Sequence, residues 1–431
     1  MIARLLHAYG YVIVGMVYIA LLLSYFYTQD RIEYANGQGM DGVKYFTTTL
    51  QMMESQPIVN KAPYVYRLVP PYLAAQLPFG ILDNFLIINW IATLMSCLLL
   101  FGYAKVMLKN AVPAFLITLY FMLHWSGYLR LYTYYPANCD TVAMVFIMLS
   151  LIMLRLLHQG FTWWKYLLFC IILFVGVFTR EFIAFFAFGV LLMNQPIQYN
   201  DGIFKVRKIR LIRQVGLTAV SFGIGLIGVY ITHQLVTALP DQASKYGFLR
   251  TIYITMHSKS IFMLITAYFY VFGVLWIPLI YFYKTTLDFF KSQKYLIPLS
   301  LLSIVIAWFG GGDTERFIIW FLPITFLVIA RVWMTHWKTL KSAWILIPTL
   351  ISLLFTTRVF LDIPQALVKD TDMTALPFFT VVQNQDFVDL LSYAGQKEII
   401  TATLVQYLAL SAYMVFMLQR KRKEKLIIFE Q

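Results

Sequence analysis

Four short charged motifs stand at the ends of long apolar runs in this chain: Asp41-Gly42, Asp140, Arg180-Glu181 and Asp313-Thr314-Glu315-Arg316. An ionisable group at membrane depth costs at least about 2–3 kcal/mol on insertion scales, so its default reading is functional. A carboxylate takes the proton from an attacking hydroxyl. A guanidinium grips a phosphate with two parallel N–H bonds. Together the motifs supply a base and positive charge against a departing phosphate.

Asp41 is the candidate base. It closes the stretch Asn36-Gly37-Gln38-Gly39-Met40-Asp41-Gly42 and precedes an amphipathic segment, 43–56. Its plainer reading is a helix N-cap, and the two roles are compatible. Arg67, in Tyr66-Arg67-Leu68-Val69-Pro70-Pro71, precedes prolines that pin a helix start. It reads as a phosphate ligand or as a snorkelling interfacial arginine. Asp140 opens a span after Tyr134-Tyr135-Pro136 and reads as an N-cap, or as a second carboxylate that orients an acceptor or holds a metal. Tyr132, Tyr134 and Tyr135 read as membrane-interface aromatics or as a sugar platform. Arg180-Glu181 separates two apolar runs, where a bare ion pair is a costly way to turn. There Arg180 is a phosphate contact, and Glu181 orients an arginine or binds hydroxyls. Three glycines, 310–312, precede Asp313, Glu315 and Arg316, with Arg316 read as a phosphate clamp.

These residues need elements to hold them. The chain is 60% hydrophobic and 13% charged, with mean hydropathy +0.72. It carries twelve apolar runs, near 8–27, 82–104, 111–129, 141–157, 164–179, 182–196, 215–236, 260–283, 295–310, 317–334, 342–360 and 399–418. Runs of this kind predict an all-α integral membrane protein with about 12 transmembrane helices. With the N-terminus in the cytoplasm, 21 of the 34 Lys and Arg fall on the cytoplasmic side and 16 of the 20 Asp and Glu on the other. That asymmetry orients the chain with both termini inside. All four motifs then face outward, with two large outer loops, 28–81 and 361–398. The first loop is expected to hold interfacial helices at 43–56 and 66–78. The organisation reads as an N-terminal module, 1–236, carrying the catalytic first loop, and a C-terminal module, 237–431.

Other chemistries are poorly supported. The net charge of +14 lies mostly in cytoplasmic connectors, which points to topology and anionic membrane lipids and away from nucleic acid. Cys97, Cys139 and Cys170 form no C-x-x-C pair, so no metal or redox motif is predicted. His124 and His257 face outward and read as packing or interfacial residues. No nucleotide-binding glycine loop, zinc-protease motif or nucleophile elbow occurs. There is also no N-x-S/T acceptor, which favours a bacterial inner (plasma) membrane.

The order of motifs resembles the GT-C superfamily of membrane glycosyltransferases. The resemblance lies in Asp41-Gly42, Tyr45, the Tyr66–Pro71 segment, Asp140 after a proline-containing loop, Thr179-Arg180-Glu181, and Asp313, Arg316 and Pro323. It covers about residues 1–330. It implies a polyprenyl-phosphate-linked sugar donor used on the extracytoplasmic face, with Asp41 as the catalytic carboxylate. The binding set is then Tyr66, Arg67, Asp140, Arg180, Glu181, Asp313, Glu315 and Arg316. The acceptor is a glycan, a lipid or a protein. No cofactor is assigned. Some members hold a divalent cation at a paired acidic site, but Gly42 follows Asp41 where a second acid would stand. Rival readings are a flippase for lipid-linked saccharides and a glycan polymerase or ligase.

Overall fold

The computed structural model describes residues 2–39, 41–124, 127–193, 197–200, 203–206, 208–239, 260–309, 314–357, 359 and 397–430. The described chain is mostly helical. Its first part runs α1 (Ile2–Thr28), α2 (Gly42–Met53), strand β1 (Val59–Lys61), a 3-10 turn (Tyr64–Tyr66), α3 (Val69–Ala75), α4 (Ile81–Leu108), α5 (Ala111–Leu123), α6 (Tyr128–Tyr134) and α7 (Asp140–Gln159). It continues with α8 (Trp163–Gly176), a second 3-10 helix (Glu181–Val190), β2 (Ile197–Asn200), β3 (Ile203–Val206), α9 (Lys208–Leu235) and β4 (Thr237–Leu239). The remainder is α10 (Ile261–Phe272), α11 (Ile277–Tyr281), α12 (Tyr283–Ser292), α13 (Leu296–Phe309), α14 (Thr314–Trp320), α15 (Leu322–Thr335), α16 (Trp337–Leu340), α17 (Ala343–Thr357) and α18 (Lys397–Glu430).

Among the described residues, five helical stretches are long and apolar enough to cross a bilayer: α1, α4, Ala111–Tyr134, α7 and α9. The count rises to seven if the bent pairs α12–α13 (117°) and α14–α15 (68°) each form one span. Each of the twelve expected apolar runs overlies one or more helices, but several are shorter or broken. Run 260–283 breaks at Gly273, whose φ of +55° no α-helix accommodates. A Cβ there would lie 2.1 Å from the Ser352 hydroxyl, which accepts the Val274 N–H at 2.9 Å. Run 317–334 breaks at Phe321, so that Pro323 sits in the first turn of α15, where its missing N–H costs nothing.

The hairpin formed by α8 and the second 3-10 helix has two short arms. Fourteen α-helical residues rise about 21 Å. Ten residues in a 3-10 helix rise about 20 Å, against about 15 Å for an α-helix. The tighter winding therefore equalises the arms, and both fall short of a hydrocarbon core of about 30 Å. Gly225 and Gly228 of α9 press against this hairpin, where a Cβ would meet Ala184 at 2.7 Å and Val177 at 2.5 Å.

Two small strand pairs accompany the helices. β1 pairs in parallel with β4, Val59 opposite Thr237, and so ties the first loop to the end of α9. β2 and β3 form an antiparallel pair. The largest cluster of buried apolar side chains runs from Leu6 to Ala330 and draws on both 1–236 and 237–431. Most of the second large loop, 361–398, lies outside the described residues, which resume at Lys397.

The first loop is locked against Tyr135. The Gly42 N–H donates to the Tyr135 hydroxyl at 2.7 Å. Gly39 has φ +72°, and a Cβ there would lie 2.1 Å from the Tyr135 ring. Gly39→Ala combines positive-φ strain with this clash, an expected loss of about 2–3 kcal/mol. Thermal unfolding of the purified protein in detergent checks this; an unchanged melting temperature would remove the lock.

Candidate functional site

Asp140 is the first residue of α7 and is fully buried. The loop before it is fixed from both sides. Asn138 accepts the N–H groups of Cys139 at 2.6 Å and Asp140 at 2.9 Å, doing the capping that the helix end requires. Asn89, in the middle of α4, donates to the Pro136 carbonyl and accepts from the Thr141 hydroxyl, each at 2.6 Å. Held this way, the Asp140 carboxylate meets two guanidinium groups. Arg180 pairs with Oδ1, and Arg316 reaches Oδ2 at 2.9 Å. The Tyr132 hydroxyl donates to Oδ2 at 2.7 Å.

Each arginine comes from a break in helical structure. Arg180 lies between α8 and the 3-10 helix in extended backbone, φ −155° and ψ 126°. Its turn is closed by the Thr179 hydroxyl, which donates to the Gly176 carbonyl at 2.6 Å. Its guanidinium stands 5.2 Å from the centre of the Trp320 ring, which stacks on Phe182 at 4.1 Å. Arg316 occupies the third position of α14. These residues lie 176 positions apart at the extreme, yet the fold closes them on one carboxylate.

The first loop supplies the third arginine. Arg67 is buried at the end of the 3-10 turn. Its Nη1 donates to the Tyr45 hydroxyl at 2.5 Å, and its Nε stands 3.6 Å from Glu181. Burial holds the Tyr45 phenol well above its usual range, so the hydroxyl stays neutral beside the cation. The Tyr64 ring lies between two cations, with the Lys44 ammonium 4.8 Å from its centre and the Arg67 guanidinium 5.4 Å. Lys44 pairs in turn with Asp41 at 3.5 Å. Burial, then the neighbouring Asp41 charge and its hydrogen bond, push the Tyr64 phenol up. Contacts thus run from Asp41 through Lys44, Tyr64 and Arg67 to Glu181, whose chain neighbour Arg180 joins Asp140 and Arg316.

Asp41 stands at the N-cap position of α2, but its side chain makes no capping bond. The carboxylate is 29% exposed. Asp140 has no exposed surface, and its oxygens face Arg180, Arg316 and Tyr132. It is an internal anion that orients two cations. Among the described residues no three of His, Cys, Asp and Glu group where a metal could bind. Tyr66 does not join the arginines; its ring stacks on His233 at 3.7 Å. Glu315 is buried in the first turn of α14. Asp313, the glycines before it and His257 lie outside the described residues. Cys139 neighbours the cluster, and burial pushes its thiol up to about 12, which keeps it from acting as a thiolate.

Sequence reasoning did not select Lys44, Tyr64, Tyr128 or Trp320. Tyr128 and Tyr132 are four apart on α6, and their rings stack at 5.5 Å. That spacing is the one signal that marked them as sharing a face. No family model matches the chain, and no curated protein matches it.

Removing the central charge should be costly. Asp140→Asn leaves Arg180 and Arg316 buried without their shared counter-charge, a loss of about 3–5 kcal/mol. The melting temperature and the yield of monodisperse protein in detergent should both fall sharply. A variant as stable as the wild type would show that the carboxylate is not the organising charge.

Proposed function

We propose that this protein is a membrane glycosyltransferase of the GT-C type, moving a sugar from a polyprenyl-phosphate donor to a glycan, lipid or protein acceptor on the extracytoplasmic face. In this reading the shorter and broken helices complete about twelve spans. Both termini lie in the cytoplasm, and the host membrane is a bacterial inner membrane. The observation that carries the proposal is the gathering of three guanidinium groups from distant segments beside a partly exposed carboxylate. Arg67 and Arg180 each keep a buried Nε–H with no hydrogen-bond acceptor among the described residues, and such donors suit phosphate oxygens.

Asp41 accepts the proton of the acceptor hydroxyl. The oxygen attacks the anomeric carbon from the side opposite the phosphate, forming the new glycosidic bond. The bond from that carbon to the phosphate oxygen breaks, and its electron pair stays on the phosphate. Arg67, Arg180 and Arg316 offset the charge that develops there. The products are the glycoside, with inverted configuration, and the polyprenyl phosphate; Asp41 then releases its proton to solvent. Lys44 holds Asp41 in place before the acceptor arrives. No step is routed through a metal.

The bent helices α12–α13 and α14–α15 favour one rival, a flippase for lipid-linked saccharides, since carriers use broken helices. Their polar groups, however, gather near the midplane with alternating access, whereas the charged groups here meet at helix ends.

Asp41→Asn should reduce sugar transfer by at least about a thousandfold, near the upper part of the range for loss of a general base, with membrane expression and melting temperature unchanged. Transfer from a radiolabelled polyprenyl-phosphate sugar in membranes is the readout. Normal turnover in this variant would remove the base assignment, and sugar-lipid flipping in proteoliposomes without transfer would favour the carrier.

A further inference from the structure

Tyr128 presents a buried donor that the protein itself does not use. It opens α6 and is 3% exposed. Its ring cannot swing away, because Phe121 packs edge-on at 5.4 Å and Tyr132 stacks at 5.5 Å. The hydroxyl is within electrostatic reach of Asp140, Arg180 and Arg316. It nevertheless has no hydrogen-bond partner among the described residues. Asp140 is ion-paired with Arg180 on Oδ1 and takes Arg316 and Tyr132 on Oδ2, and no hydrogen bond joins it to Tyr128. The two arginines only donate. A buried hydroxyl left in this state is destabilising, and the Arg180 Nε–H likewise has no hydrogen-bond acceptor among the described residues. Two buried donors from different elements, both under the influence of Asp140, thus lack an acceptor.

We infer that Tyr128 is a ligand-contacting residue whose hydroxyl donates to a non-bridging phosphate oxygen of the polyprenyl-phosphate substrate, alongside Arg180. This rests on the transferase reading for the identity of the substrate, but it concerns binding and not the chemical step. An anionic oxygen is favoured over a sugar hydroxyl because the neighbours of Tyr128 are guanidinium groups. The contact also gives Tyr128 and Tyr132 separate tasks: Tyr132 serves the internal anion, Tyr128 the external one.

The test is Tyr128→Phe, which keeps the ring and removes the donor. In ligand-free protein the melting temperature should stay the same or rise, since replacing an unsatisfied buried hydroxyl with hydrogen relieves a cost. A hydroxyl bonded within the protein would give a fall instead, and that result overturns the proposal. Farnesyl monophosphate, with farnesol as the uncharged control, then probes the site by thermal shift without any transfer step. The half-saturating concentration of the phosphate should rise roughly tenfold to a hundredfold in Tyr128→Phe, as expected for a lost charge-assisted hydrogen bond, while farnesol behaves alike in both proteins. Equal responses to farnesyl monophosphate in wild type and variant, or a difference seen only with a sugar-bearing lipid phosphate, overturn the assignment. A weakened phosphate response in a wild-type background that transfers no sugar supports the Tyr128 contact and retires the transferase reading alone.

Discussion

The structure depends on one buried carboxylate shared by two guanidinium groups. Asp140 has no exposed surface, and taking an ion into such a place is prohibitive unless its charge and lone pairs are met. Arg180 and Arg316 meet its charge, and Arg316 and Tyr132 bond Oδ2, while Oδ1 has the ion pair with Arg180. The requirement is reciprocal, since neither arginine could be buried alone. One interaction therefore fixes the start of α7, the apex of the hairpin between α8 and the 3-10 helix, and the start of α14. Arg67 stands in the first loop, 3.6 Å from Glu181.

The hairpin is the clearest case of a fold serving that constraint. Its apex carries Arg180-Glu181, and its arms are about 20 Å long by helical rise. Arg180 is buried at that apex, in a low-dielectric setting where its interaction with Asp140 is stronger than in water. The 3-10 winding of Glu181–Val190, normally limited to short pieces, is the local cost of returning the chain with so few residues.

Much of this was legible in the sequence, for identifiable reasons. The expected runs coincide with helices because apolar length is a strong signal, and Asp140, Arg180 and Arg316 stood out because charge at membrane depth is rare. What the sequence left hidden is pairing. Nothing in it says that Asp140 faces two arginines, and its position at a helix start suggested a cap, the task that Asn138 performs. Tyr66 was read together with its neighbour Arg67, yet the 3-10 turn sends Tyr66 to His233 and Tyr64 to the cations. The β1–β4 pair joins segments over 170 residues apart, beyond the reach of local pattern. The β2–β3 pair was within reach, since Asp201-Gly202 between apolar residues is a hairpin signal.

A site organised around an internal anion has a consequence for how binding energy is used. If the arginines had no fixed partner, an incoming phosphate would have to order them, and the ordering would be subtracted from its affinity. Asp140 and Glu181 do that ordering in advance. The Nε–H groups of Arg67 and Arg180 make no hydrogen bond among the described residues, which lowers stability. An apolar substitute at Asp140 could restore packing, but it would leave the two guanidinium groups to repel each other. The buried carboxylate is therefore the feature that allows several positive charges to stand together in an apolar protein.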